Sequence, residues 1–196
     1  MATPIPRVST VLAQLFPGSF DAVPFDVLQT AVERGNHIHE IAKLICLSMQ
    51  FKEAYPFVEA DFPEDSHIIR AIKGWLEKYD AMPLLVESRA VHETLQYAGT
   101  PDVLVKTGPN AICFANKKII ADWKATAQVL TSNEIQLSAY WRLPDYREAD
   151  HAIIVNINPL TGEITEYEVF KYGNGFFQLF CKGLQDVLNC EIPEGK

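Results

Sequence analysis

No stretch of the 196-residue sequence approaches the ~18 uninterrupted apolar residues of a membrane-spanning helix, so that class of protein drops out of the reading. Cysteine is scarce and scattered. Cys46, Cys113, Cys181 and Cys190 form no C-x-x-C pair, which gives neither a zinc ribbon nor a disulfide framework, and they read as reduced, mostly buried thiols. Positive charge is in the minority, with 17 Lys and Arg against 25 Asp and Glu and a net charge of −8. The surface as a whole therefore repels polyanions, and any nucleic-acid binding has to come from a local basic or metal-bearing groove. The opening residues, Met1 to Arg7, have neither an apolar signal core nor an Arg-rich amphipathic pattern, which leaves a cytoplasmic address as the default expectation. No Walker A sequence, repeat or low-complexity tract is present, and no Pro/Gly/Ser linker is long enough to separate a pair of domains.

What is there is an ordinary globular composition, 48% hydrophobic and 11% aromatic, long enough to bury roughly 70% of the surface of the unfolded chain. Periodicity predicts a short helix capped by Ser9 and ended by Pro17-Gly18, and a long helix over about 25–51. Gly35 interrupts the long helix, so either the helix breaks there or another backbone comes close. A third helix, capped by Asp65, runs to about residue 79. Period-two patterns then predict strands over 84–93, 100–106, 111–115 and 118–125, the last two forming a hairpin through Asn116-Lys117. A helix over 133–142, strands over 151–156 and 163–170, and a closing helix over 175–188 complete a mixed α/β arrangement whose sheet is mostly antiparallel.

Within this frame, Lys118-Ile119-Ile120-Ala121-Asp122-Trp123-Lys124 is an apolar strand that ends by carrying charge. Side chains alternate along a strand, so Asp122 and Lys124 share one face, about 7 Å apart at ~3.3 Å per residue, and Trp123 takes the other. Asp102 opens a second apolar strand in Gly99-Thr100-Pro101-Asp102. A buried carboxylate is costly unless paired or bound to metal, so two on neighbouring strands invite a cation between them, with Mg²⁺ or Mn²⁺ the natural match to hard oxygen ligands. The plainer alternative is that each Asp caps a turn or pairs with a surface lysine. An ammonium on the same face as a metal-binding acid can stabilise a hydroxide nucleophile or the charge growing on a phosphate.

Five motifs occur in order. They are Gly35 to His39 as G-x-x-x-H, Glu87 in Leu85-Val86-Glu87-Ser88, Gly99-Thr100-Pro101-Asp102, Asp122-Trp123-Lys124, and Gln136 to Tyr140 as Q-x-x-x-Y. Together they resemble the PD-(D/E)XK nucleases, and within them the RecB-like exonucleases that include phage and CRISPR-associated members. The opening Val8-Ser9-Thr10-Val11-Leu12 is similar to that of several phage relatives. The resemblance implies an α/β fold with a mixed central sheet flanked by helices and a restriction-endonuclease-like core. It also implies a single nuclease domain over 1–196, with N-terminal helices over 9–80, a catalytic sheet and helix over 83–143, and C-terminal strands and helix over 150–190.

The activity it implies is a Mg²⁺- or Mn²⁺-dependent deoxyribonuclease acting on single-stranded DNA or duplex ends in recombination, repair or phage DNA processing. Asp102 and Asp122, with His39 and the carbonyl of Trp123, would hold the metal, Glu87 would support them as a further catalytic acid, and Lys124 would orient and activate the attacking water. Gln136, Tyr140 and Arg34 would meet the nucleic acid, and Lys106, Lys117, Lys118 and Lys124 would line its approach. A core histidine at 39 and plain packing at Tyr140 and Trp141 are the structural alternatives. Ala125 stands where relatives often carry Thr, and the late cysteines, Cys181 and Cys190, lack the tight spacing of iron-sulfur relatives. An endonuclease of the same fold, or a catalytically silent DNA-binding module, remains open as an alternative.

Overall fold

Two helical layers enclose a mixed five-stranded sheet in the computed structural model, which describes residues 4–18, 21–171 and 175–189. The first helices are α1 (Val8–Leu15), α2 (Phe25–Gln50) and α3 (Ser66–Lys78). After them come β1 (Ala81–Val86), β2 (Ala90–His92), β3 (Tyr97–Gly99), β4 (Val103–Thr107) and β5 (Lys118–Lys124). The chain continues through α4 (Thr131–Tyr140), β6 (His151–Ile157), β7 (Ile164–Val169) and α5 (Phe176–Asn189). The sheet order is β1-β4-β5-β6-β7, while β2 and β3 make a separate two-stranded ribbon. All sheet pairs are antiparallel except β5 with β6. A parallel pair cannot be joined by a tight turn, and the crossover between these two contains α4.

Alternation along the strands divides the core in two. Ile119, Ala121 and Trp123 join Val103, Val105, Ile153 and Val155 on the face covered by α2 and α3, where the Trp123 ring meets Trp75 edge-on at 5.2 Å. Ile120, Leu104, Ala152 and Ile154 face α1, α4 and α5. Buried on both faces, β5 has the nearly unbroken apolar sequence that such a position requires. By the same alternation Asp122 and Lys124 belong to the α4 side.

The structure departs from the sequence pattern in definite places. Residues 111–115 are not a strand and form no hairpin with β5, which pairs directly with β4. Instead the connection from Thr107 to Lys117 is a compact loop with Phe114 and Asn116 at positive φ, and the Thr107 hydroxyl bonds Phe114 and Lys117 across it. The predicted strand over 84–93 is divided into β1 and β2, because the backbone turns at Glu87 with φ 43°. β3 was not evident in the sequence. Ser9 lies inside α1 rather than capping it, and Asp65 makes no side-chain cap but binds His37 at 2.8 Å. α4 runs Thr131–Tyr140, starting and ending about two residues before the predicted helix. Cys46 is buried and Cys113 and Cys181 are partly buried free thiols, while Cys190 lies outside the described residues.

Gly35 neither breaks α2 nor admits another backbone, since a Cβ built there would meet nothing within 4 Å. Gly99 is the opposite case. A Cβ at that position would stand 2.7 Å from Tyr140 Cε1 and 3.0 Å from Leu143 Cδ1, both core side chains. Two glycine-to-alanine substitutions should therefore differ in sign under urea denaturation. Gly35→Ala gains roughly 0.5–1 kcal/mol by removing backbone freedom from the unfolded chain. Gly99→Ala loses about 1–3 kcal/mol through overpacking.

Candidate active site

The register of β4 against β5 creates the site. Pairing ends at Val103 opposite Ala121, so the last three residues of β5 extend beyond the start of β4. Where a ladder partner would stand, the Trp123 N–H donates to Asp102 Oδ2 at 2.7 Å. The N–H and C=O of one strand residue point to the same side, so the Trp123 carbonyl also faces this gap. From α2, His39 Nδ1 comes within 3.3 Å of the same Asp102 oxygen. Glu87 donates its backbone N–H to the Asp102 carbonyl at 2.9 Å, which ties the end of β1 to the segment before β4.

Asp122 is 1% exposed. Lys124 Nζ lies 2.5 Å from its Oδ2 as an ion pair, and among the described residues that oxygen has no other polar partner. Burial, and then the nearby Asp102 charge, outweigh Lys124 and push the Asp122 carboxyl above its ordinary value. Burial acts the same way on Asp102, but the His39 bond and charge, Lys124 and the Trp123 N–H prevail and hold it below the ordinary value. Burial alone would lower His39 and Lys124. The two carboxylates reverse this and raise both.

Hard oxygen donors on Asp102, Asp122 and the Trp123 carbonyl, with the His39 imidazole beside them, suit Mg²⁺ or Mn²⁺, and the observation that supports such a ligand is the buried Asp122 Oδ2, which has the Lys124 ion pair but no hydrogen-bond donor that meets ordinary geometry. Among the described residues no three His, Cys, Asp or Glu side chains already form a ligating cluster. Glu87 stays apart because its carboxylate pairs at 3.1 Å with Lys43, one turn beyond His39 on α2. Gln136 donates to the Tyr140 hydroxyl at 3.0 Å, and the Tyr140 ring packs over Gly99, just before Asp102. Thr126 is drawn away from the site, since its N–H and hydroxyl bond Asn156 Oδ1 and its hydroxyl also reaches the Gln128 carbonyl.

Three expected lysines do not line this approach. Lys106 and Lys118 are paired across β4 and β5 at the opposite end of the strand, roughly 20 Å from Lys124 at ~3.3 Å per residue. Lys117 and Lys118 are engaged there by Asp150 and Glu148. The sequence pattern missed Arg7 and Arg89, which line a cavity of about 180 Å³ together with Ser9, Thr100 and Tyr140. No acidic side chain lines that cavity, and neither arginine has an ion-pair partner among the described residues. The legible signal was only the presence of Arg7 ahead of α1. Tertiary structure alone brings Arg89 beside it. Arg34 lies farther along α2, at a separate cavity.

No protein-family model and no curated protein matches the chain. A solved structure described as "Crystal structure of SSO0001" aligns with 96% of this chain and 76% of its own, at 13% identity and a TM-score of 0.46. At that level of likeness neither a fold family nor an activity carries over.

Removing Lys124 leaves the Asp122 charge buried and unpaired, so Lys124→Met should cost roughly 3–5 kcal/mol in urea denaturation. Asp122→Asn removes that charge while Lys124 keeps the charge of Asp102 nearby, and should cost less. Because Asp122 is held above its ordinary value, the folded state binds more protons than the unfolded state just above pH ~3.9, and stability falls as pH rises through the raised value. Subtracting the Asp122→Asn profile from the wild-type profile should isolate that fall.

Proposed function

We propose that the chain is a metal-dependent deoxyribonuclease built on a restriction-endonuclease-like core, acting as an exonuclease on DNA ends in recombination, repair or phage DNA processing. One observation carries this reading. Asp102, from the segment that enters β4, and Asp122, from β5, meet Lys124 and His39 at a single corner of the sheet, with Lys124 2.5 Å from Asp122 and His39 3.3 Å from Asp102. The parallel β5–β6 pair with its helical crossover supports the core assignment.

Asp102, Asp122, His39 and the Trp123 carbonyl would hold Mg²⁺ or Mn²⁺, with Glu87 in support once it is released from Lys43. A cation held there would supply polarisation of a phosphate and a lowered pKa for a water bound to it. Lys124, kept as the ammonium by Asp122, would donate hydrogen bonds to the incoming oxygen and to the phosphoryl oxygens on which negative charge grows. The water oxygen would form the new P–O bond, its proton passing to bulk water, as the bond from phosphorus to the departing sugar oxygen breaks and that oxygen takes a proton from solvent. Arg7 and Arg89 give an acidic protein a local positive wall in the cavity that Thr100, two residues before Asp102, and Tyr140 also line, and Gln136 braces the Tyr140 hydroxyl. That wall answers the composition's demand for a local source of attraction to phosphate.

The alternatives separate by substrate. End-labelled single-stranded and duplex DNA should be degraded in Mg²⁺ or Mn²⁺ but not in EDTA, while a closed circle survives. Cutting of the circle would point to the endonuclease alternative, and failure to cut any substrate in either metal would leave the silent DNA-binding module. Asp122→Asn and Lys124→Ala should each lose about 10²-fold or more in rate while staying folded. In the absence of DNA, Mn²⁺ should raise the Tm of the wild type and leave that of Asp122→Asn unchanged, because only a ligand that binds the folded state shifts unfolding.

A further inference from the structure

Beyond Lys124 the sheet continues into a second cavity, of about 350 Å³, on the same face as the carboxylates. Its position follows from register. Lys124 pairs with Asn156 and Asn156 with Thr165, while Asp122 pairs with Ile154 and Ile154 with Tyr167. Thr165 and Tyr167 therefore stand two strands away from the catalytic pair, about 10 Å at ~4.8 Å per strand, with side chains on the same face.

Asn156 is committed to the loop above it, holding Thr126 through both ends of its amide, which makes a rigid floor. The Tyr167 ring is 40% exposed on the edge strand, and Leu160, at 82% exposed, adds apolar surface beside Pro159 on the far wall. Arg34 contributes the cavity's one basic side chain and Glu163 its one acid. Arg34 has no hydrogen-bond or ion-pair partner among the described residues. It reaches the cavity because α2 extends past the sheet, its first buried residue being Ile38.

We propose that this cavity is a subsite for one unpaired nucleobase of the substrate strand, with Tyr167 as the stacking surface and Arg34 contacting the adjoining phosphate. The inference rests on the nuclease reading of the neighbouring site and adds to it the place where an unpaired base is held, which favours DNA that is single-stranded or frayed at the point of entry. An exposed aromatic ring beside a free guanidinium and a few polar groups is what sequence-tolerant binding of a single strand requires. The volume is at the lower end of pockets that take one small molecule, too small for a base pair with its two backbones.

The test is a titration in EDTA, at low salt, of short single strands carrying 2-aminopurine at successive positions, with a matched duplex as comparison. Wild-type protein should quench fluorescence at one or two adjacent positions and bind the single strand more tightly than the duplex. Tyr167→Ala should lose that quench and weaken Kd about ten-fold or more, and Tyr167→Trp should restore both. Arg34→Gln should weaken binding and lower the slope of log K against log salt by about 1. The thermal melt of each variant checks folding. An unchanged Tyr167→Ala titration, equal binding of duplex, or no binding by the wild type would overturn the subsite. Tyr167-dependent quenching without cleavage in Mg²⁺ or Mn²⁺ would overturn the nuclease reading and leave the subsite standing. Cleavage with an unaffected Tyr167→Ala would do the reverse.

Discussion

A fully buried carboxylate and a largely buried one stand at one corner of the sheet, and much of the local architecture serves to make that tolerable. Asp102 is stabilised by a backbone N–H and an imidazole, Asp122 by an ammonium at 2.5 Å. The backbone N–H and the ammonium come from the end of β5 and the imidazole from the middle of α2, while the segment that enters β4 supplies Asp102 itself. If the sheet register slipped by one residue, Asp122 and Lys124 would exchange faces with Trp123. The ring of Trp123 would then leave its contact with Trp75 and the charges would enter the α2/α3 core. Packing of the large aromatic thus holds the acid and amine in place on the other face.

The segment before Asp102 is restrained with similar economy. Tyr97 on β3 donates its hydroxyl to the Ala139 carbonyl at 2.8 Å, and Tyr146 donates to Ser88 at 2.8 Å, so the turn between β1 and β2 and the ribbon after it are both tied to the α4 region. Gly99 lets Tyr140 lie directly against the chain three residues before Asp102. Glu87 adopts positive φ where β1 leaves the sheet, and its side chain is turned to Lys43. A non-glycine residue in that conformation costs of order 1–3 kcal/mol, and it is the surrounding contacts that hold it there.

Legibility in the sequence followed range. The long helix, the apolar β5 and the shared face of Asp122 and Lys124 depend on periodicity within a few residues, and they stand in the structure where periodicity placed them. The supposed strand at 111–115 failed because apolar residues in a tight loop mimic a short strand. Its Ile112 is 79% exposed, and positive φ at Phe114 and Asn116 prevents extension. Gly35 invited a break that did not occur, since one glycine costs a 26-residue helix less than its packed second half contributes. The lysines at 106, 117 and 118 carried the right charge for a nucleic-acid approach, but antiparallel pairing put them at the far end of the strands.

Residue type and spacing were enough to establish a mixed α/β chain and an acid and an amine side by side at a strand end. Both are short-range consequences of side-chain alternation and hydrophobic period. The parallel pairing of β5 with β6, the His39 contact to Asp102, the Lys43 pairing of Glu87, and the meeting of Arg7 with Arg89 all join positions that are remote along the chain. Those depend on how whole layers pack and where one strand ends against its neighbour, and no local pattern encodes that.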